Sequence, residues 1–332
     1  MIAAWLGIIL SGILGGGFII PAKRIKHLQW DQTWLIFCAV GLVIAPVGLV
    51  LCFAPGMFNL VFAQNPRVVL IVAGYGFGWG LGAFLFGSSI PRLGFALANA
   101  IVSGAVTLVG SVSPLMIGAV KLRTGEAVWL IAGLSLLTLG IGFCAWASIL
   151  RDRNVGTAER PAPGLASSLI GVGLAVLSGV LSALLNTAFA YGGDLIGKAT
   201  TLGISPTITS LAVWVPALAG GFAVNFLGTA WKIGKAKGWK QYQEAPAMDW
   251  PWAGSLGLIW FGGILVYGVS SLVMGASGTV YGWAVSNGVV ILTSTAWGFA
   301  SGEWKHASRA AHLWMLGGVV AFLIAFAILA RS

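Results

Sequence analysis

Nine polar or aromatic side chains in this 332-residue chain sit where apolar residues are the rule. Tyr75, Trp79, Asn99, Ser103, Asn186, Trp260, Tyr267, Trp283 and Asn287 all lie inside long apolar runs. Amides and hydroxyls there offer hydrogen bonds without charge, and the rings offer flat apolar faces. Such a wall suits a neutral ligand with hydroxyl groups on its edges and C–H groups on its faces. Asn99 and Ser103 are four apart, as are Trp283 and Asn287, so each pair shares one helix face. The competing account is packing, because intramembrane Asn and Ser commonly bond helix to helix. Trp5, Trp30, Trp129, Trp231, Trp252 and Trp314, near the ends of runs, read instead as interface anchors.

The second set is acidic. A charged side chain at mid-bilayer costs roughly 3 kcal/mol or more, so one kept near a span is a candidate for function. Glu126, Asp152, Glu159, Glu244 and Asp249 fall in loops or at helix edges, where a solvated charge is expected. Asp31, Asp194 and Glu303 remain as candidate proton carriers or gates, Asp194 being the first candidate for the proton. Asp194 and Lys198 are four apart at the outer end of a run, which predicts an ion pair on one helix face. Asp31 suits a helix N-terminus, or a salt bridge with Lys23 or Arg24, and Glu303 stands close to Lys305.

The elements that position these residues are set by composition. Hydrophobic residues make up 58% of the chain and charged ones 8%, with a mean hydropathy of +0.95. A soluble domain carries roughly 25% charged residues, so this surface faces lipid. A span needs about 20 apolar residues. That length predicts ten helices, near 3–21, 32–53, 68–90, 95–119, 127–149, 166–191, 205–230, 252–274, 279–301 and 312–330. Pro55-Gly56, Pro91-Arg92 and Pro251 punctuate them as breakers. The apolar start is long enough to span and lacks a basic leader, so it reads as a retained helix.

Basic residues are sorted by side. Loops on one side carry Lys23, Arg24, Lys26, Arg92, Arg151, Arg153, Arg160, Lys232, Lys235, Lys237, Lys240, Lys305 and Arg309. The other side carries Arg67, Lys121, Arg123, Lys198 and Arg331. The heavier side is expected in the cytoplasm, with both termini outside. Net charge +10 therefore reads as membrane orientation, and no basic stripe or motif points to nucleic acid.

The polar stretch from Arg151 to Leu165 divides the helices five and five. We therefore expect a first repeat over 1–150, a cytoplasmic linker over 151–165 and a second repeat over 166–332. Five is odd, so the second repeat enters the membrane inverted. Leu10-Ser11-Gly12-Ile13-Leu14 is echoed by Leu177-Ser178-Gly179-Val180-Leu181. Gly94, Ala100, Gly104 and Leu108 are echoed by Gly278, Ala284, Gly288 and Leu292 at a constant offset of 184. The fold class expected is an all-α membrane protein with a 5+5 inverted repeat and its site near mid-membrane.

Other chemistry finds little support. Cys38, Cys52 and Cys144 are scattered through apolar runs and form no framework. His27, His306 and His312 lie in or beside loops without a metal-ligand spacing, so neither a metal nor a cofactor is expected. Intramembrane proteases and metal-dependent lipid transferases need His-Glu, Ser-His or clustered Asp within spans, and none is visible. An enzyme is not expected, and no filter-like ring points to a channel.

Four stretches carry a family resemblance: the basic loop Pro21 to Gln29 leading into Trp30-Asp31-Gln32-Thr33-Trp34; Gly76-Phe77-Gly78-Trp79-Gly80 with Arg92-Leu93-Gly94; Gly203-Ile204-Ser205-Pro206 with Asn225; and Glu303-Trp304. In this order the chain resembles the bacterial L-rhamnose–proton symporter family, within the drug/metabolite transporter superfamily. The resemblance implies a ten-helix inner-membrane carrier importing a neutral deoxy-sugar with protons, by alternating access of helices 3, 4, 8 and 9 around a central pocket. It departs at one place. The family pattern has an acidic residue near the outer start of helix 9, whereas 275–283 here holds no carboxylate. Coupling would then fall to another residue, and a different sugar stays open. The alternative is an exporter or uniporter of another small metabolite; an exporter of organic cations would want a carboxylate buried in a span.

Overall fold

The structure is a computed structural model that describes residues 1–154 and 165–331. Most of the expected linker, with Glu159 and Arg160, lies outside the described residues. Every regular element among the described residues is helical. In lipid no water satisfies an exposed backbone, so apolar runs fold into helices that bond internally.

The long helices are α1 (Ile2–Gly17), α2 (Trp30–Phe53), α3 (Pro66–Leu93), α4 (Phe95–Met116), α5 (Thr124–Asn154), α6 (Leu165–Tyr191), α7 (Leu211–Lys235) and α8 (Asp249–Met274). Then come α9, a π-helical turn Gly278–Gly282 running into Trp283–Ala300, and α10 (Arg309–Leu329). Among the described residues, nine helices are long and apolar enough to cross a membrane, α9 being the long helix outside that set. Ser286, Asn287, Thr293, Ser294 and Thr295 dilute its hydropathy.

Two boundaries differ from expectation for a physical reason. Helix α3 does not stop before Pro91 but runs on to Leu93. A proline in the last turn removes one N–H and breaks little beyond it. The break falls at Gly94, whose φ of 77° is open to glycine and strained for other residues, and α4 starts at once. Within α2, Pro46 is preceded by a π-helical turn at Val40–Ile44. The wider turn shifts the hydrogen-bond register where proline has no donor.

Helix α3 packs on α6 and α7, α6 on α4, α1 on α8 and α9, α2 on α7 and α8, and α5 on α10. Small residues allow the closest crossings. A Cβ built on Gly41 of α2 would meet the Gly257 carbonyl of α8 at 2.8 Å, and one on Gly76 of α3 would collide with the Ala217 carbonyl of α7.

The loops gather into two ends. The end holding Lys23, Arg24, Lys26, Lys232, Lys235, Lys237, Lys240 and Lys305 is called the basic end here, and the opposite one the far end. Asp249, expected as a solvated charge, is buried at the start of α8. Its carboxylate accepts from the N–H groups of Lys26 (3.2 Å), His27 (2.8 Å) and Leu28 (3.2 Å), which ties the loop after α1 to α8. At the far end, Asn65 before α3 accepts from Lys198 Nζ in the connection after α6.

Candidate functional site

A cavity of about 270 Å³ lies at the centre of the bundle, walled by α1, α3, α4, α6, α8 and α9. Trp79, Trp260, Tyr267, Trp283 and Asn287 all line it. Trp79 stacks on Trp260 with centroids 5.4 Å apart, and Phe37 meets the Trp260 ring edge-on at 5.7 Å. Tyr267 and Trp283 form a second, perpendicular pair at 5.4 Å. Two aromatic walls thus frame the space.

The polar groups are held from behind. Tyr267 donates its hydroxyl to Asn186 Oδ1 at 2.6 Å. The Asn186 amide donates in turn to the carbonyls of Gly110 (2.8 Å) and Thr279 (2.7 Å). Asn186 is wholly buried and outside the cavity wall, so its role is to lock Tyr267 against α4 and α9. Trp283 donates its indole N–H to the Val106 carbonyl at 3.1 Å. Asn287 donates to the Trp283 carbonyl at 2.9 Å, which leaves its Oδ1 without a partner among the described residues. Ser11 and Ser286 share a hydrogen bond of 2.8 Å across α1 and α9. Among the described residues, no charged side chain is in the cavity wall.

Other expected site residues lie elsewhere. Tyr75, one turn from Trp79 toward the far end, meets Tyr191 edge-on at 5.7 Å and does not line the central cavity. Asn99 and Ser103 line a separate cavity of about 250 Å³ between α4, α5 and α9, on the basic side. Val290 is in both walls. The mouth of this second cavity holds Glu303, paired with Arg151 at 3.6 Å and accepting from Ser301 at 2.9 Å. Arg151 also pairs with Asp152 at 2.8 Å and lies over the Trp304 ring, 5.1 Å from its centroid. Glu303 lines a third cavity too, together with Lys23. Its partner is therefore Arg151 from α5, not Lys305.

The ion pair expected between Asp194 and Lys198 is not formed. Both are exposed on the short helix Gly193–Thr201, and the Lys198 ammonium reaches Asn65 instead. Asp31 is half-buried at the start of α2 and makes no ion pair with Lys23 or Arg24. It faces Tyr242, whose hydroxyl donates to the Gln32 carbonyl at 3.0 Å. Burial first, then the Asp31 carboxylate, push that phenol up to about 12, so it stays a donor.

The sequence reading missed Ser11, Phe18, Ser182 and Ser286 in the central wall. Two had a visible signal: Ser286 is three residues after Trp283 and so on its face, and Ser11 stands in the Leu-Ser-Gly echo. Two residues of the family-like stretches also meet. Trp34 donates to Asn225 Oδ1 at 3.4 Å, bridging α2 and α7.

The family model described as L-rhamnose-proton symport protein (RhaT) matches residues 2–331. The L-rhamnose-proton symporter of Klebsiella pneumoniae (strain 342) is 24% identical over 306 residues, covering 88% of this chain and 86% of that one. The symporter of the same name from Enterobacter sp. (strain 638) is 27% identical over 212 residues, covering 63% and 60%. One solved crystal structure shares the fold at a TM-score of 0.54 and 13% identity, covering 98% of this chain and 96% of that one.

Proposed function

The chain belongs to the L-rhamnose-proton symport protein family, and from that premise we propose that it is a secondary-active carrier importing a neutral deoxy-sugar, L-rhamnose first, together with protons. The observation that carries this reading is the central cavity, whose rings, Asn287 amide and Ser286 hydroxyl form a wall without charge. Rings cover the C–H faces of a pyranose and the amide and hydroxyl meet its OH groups. An organic cation would find no carboxylate there. Asn186 serves the site from behind by fixing Tyr267, and Tyr75 lies beyond it toward the far end.

The carrier works by alternating access between two five-helix repeats, 1–150 and 166–332, with α9 as the tenth span. Three observations support that organisation. Replacing each helix by the one five places along turns α3–α6 into α8–α1, α4–α6 into α9–α1 and α3–α7 into α8–α2, and all of these are packed pairs. The close crossings at Gly76 with Ala217 and at Gly41 with Gly257 belong to the last two of these. Asn65 and Asp249 stand 184 apart, and each ties the start of its repeat's third helix to the connection after the other repeat's first. The moving set includes α1 and α6 as well as α3, α4, α8 and α9, because all six wall the cavity. The basic end lies in the cytoplasm of a bacterial inner membrane, with both termini periplasmic.

Of the three carboxylates, Glu303 takes the coupling or gating role in this reading, since it lines two cavities and is paired across helices. Asp31 and Asp194 are lesser candidates, outside both the central cavity and those two. The test is uptake of labelled L-rhamnose into vesicles with and without an inward proton gradient. Uptake that rises with the gradient is expected. Uptake indifferent to it removes the coupling, and stabilisation by organic cations but not by rhamnose removes the sugar reading.

A further inference from the structure

We propose that the basic-side cavity between α4, α5 and α9 is a second, transient subsite for the transported sugar, entered from the centre past Val290; this rests on the sugar-carrier reading above. The cavity measures about 250 Å³. Asn99, Ser103 and Thr295 line it, and none of these side chains bonds to another described residue. Amides and hydroxyls left unpaired on a cavity wall offer hydrogen bonds to an occupant rich in hydroxyls. Water meets them as well; what singles out sugar is continuity with the central site.

That continuity runs down α9. Asn287, Val290, Ser294 and Gly298 recur at helical spacing, and the stripe passes from the central wall into the basic-side wall. Val290 is the partition common to both. At the mouth, Trp304 has one face stacked on Phe299, with centroids 4.7 Å apart. The Arg151 guanidinium, which also holds Glu303, lies over the same ring. Moving that guanidinium aside bares a ring face and opens the mouth in one step. A carrier releases its cargo faster when the last site holds it weakly, and a few amides and hydroxyls with one coverable ring are such a site.

The experiment separates binding at the centre from passage beyond it. In proteoliposomes, the double variant Asn99→Ala, Ser103→Ala is compared with the unaltered chain for rhamnose counterflow and for rhamnose-induced thermal stabilisation. We expect counterflow to fall about fivefold or more, roughly the weight of one ordinary hydrogen bond, while stabilisation is retained. Ala145→Trp, which fills the basic-side cavity from α5 and away from the central wall, should give the same split. Counterflow unchanged in both variants overturns the subsite. Loss of stabilisation along with counterflow also overturns it, because the two cavities would then be one site. An unaltered chain that shows neither response to rhamnose removes the sugar-carrier reading itself, and with it this inference, and so is told apart from failure of the subsite alone.

Discussion

From Gly278 to Val289 every residue of α9 except Asn287 is buried, whereas from Val290 to Ala300 only Gly298 is. On helix α4, Thr107, Gly110, Ser111, Ser113 and Pro114 are buried toward the far end, while near the basic end Asn99 is exposed beside a buried Ala98. The same two helices are sealed at one end and parted at the other. At the sealed end Trp283 sits against Gly110 and bonds to Val106, and Tyr281 donates to the Glu126 carbonyl at 3.4 Å. At the parted end lie the cavities that hold Asn99, Glu303 and Lys23. Packing and a hydrogen bond hold one end, and an ion pair between Arg151 and Glu303 stands at the other.

Matched substitutions at the two ends test that contrast. The largest effect is expected from Gly110→Val, because any Cβ there collides with the Trp283 indole. It should cost about 3 kcal/mol or more, seen as a lower melting temperature and less folded protein after size-exclusion chromatography. Gly104, two turns toward the basic end, has nothing within 4 Å of a built Cβ. Gly104→Ala should leave melting unchanged or raise it by about 0.5 kcal/mol equivalent, and equal damage from both variants would erase the contrast.

Asp249→Ala comes next. It strips the acceptor from three N–H groups and should cost about 3 kcal/mol by thermal unfolding in detergent. A change below about 0.5 kcal/mol would mean the basic end is not held by this clasp.

Asn186→Ala removes an acceptor from Tyr267 and donors from two carbonyls, for a cost of about 2 kcal/mol and weaker rhamnose-induced stabilisation. Asn99→Ala has no such bonds to lose and should shift melting by less than about 0.5 kcal/mol. The smallest stability effect belongs to Glu303→Gln. Its ion pair with Arg151 spans 3.6 Å and its own side chain is 53% exposed, so about 0.5 kcal/mol or less is expected. Its readout is instead the ratio of uptake with and without a proton gradient, which should fall toward unity; an unchanged ratio clears the residue.

The spans were legible because apolar composition leaves a bilayer segment no other backbone solution, and Trp79, Trp260, Tyr267, Trp283 and Asn287 stood out by polarity in the same runs. What composition does not carry is which end has parted. Asn99 and Ser103 stand 184 before Trp283 and Asn287, so a two-fold arrangement would treat the pairs alike. One pair lies at the sealed end and reaches the centre, while the other opens on a separate cavity. Alternating access would exchange those roles, which is why the sequence reads them as equivalent. Asp249 was unreadable for another reason: its partners are backbone N–H groups, which every loop possesses.

That clasp also orders events in time. The N–H groups of Lys26, His27 and Leu28 leave the ribosome early, yet their acceptor lies 221 to 223 residues further along the chain. The basic end stays unfastened until the start of α8 has been made. Contacts so distant in sequence form late. A nascent chain halted after α7 would keep that loop undocked, and quality control would meet it in that form.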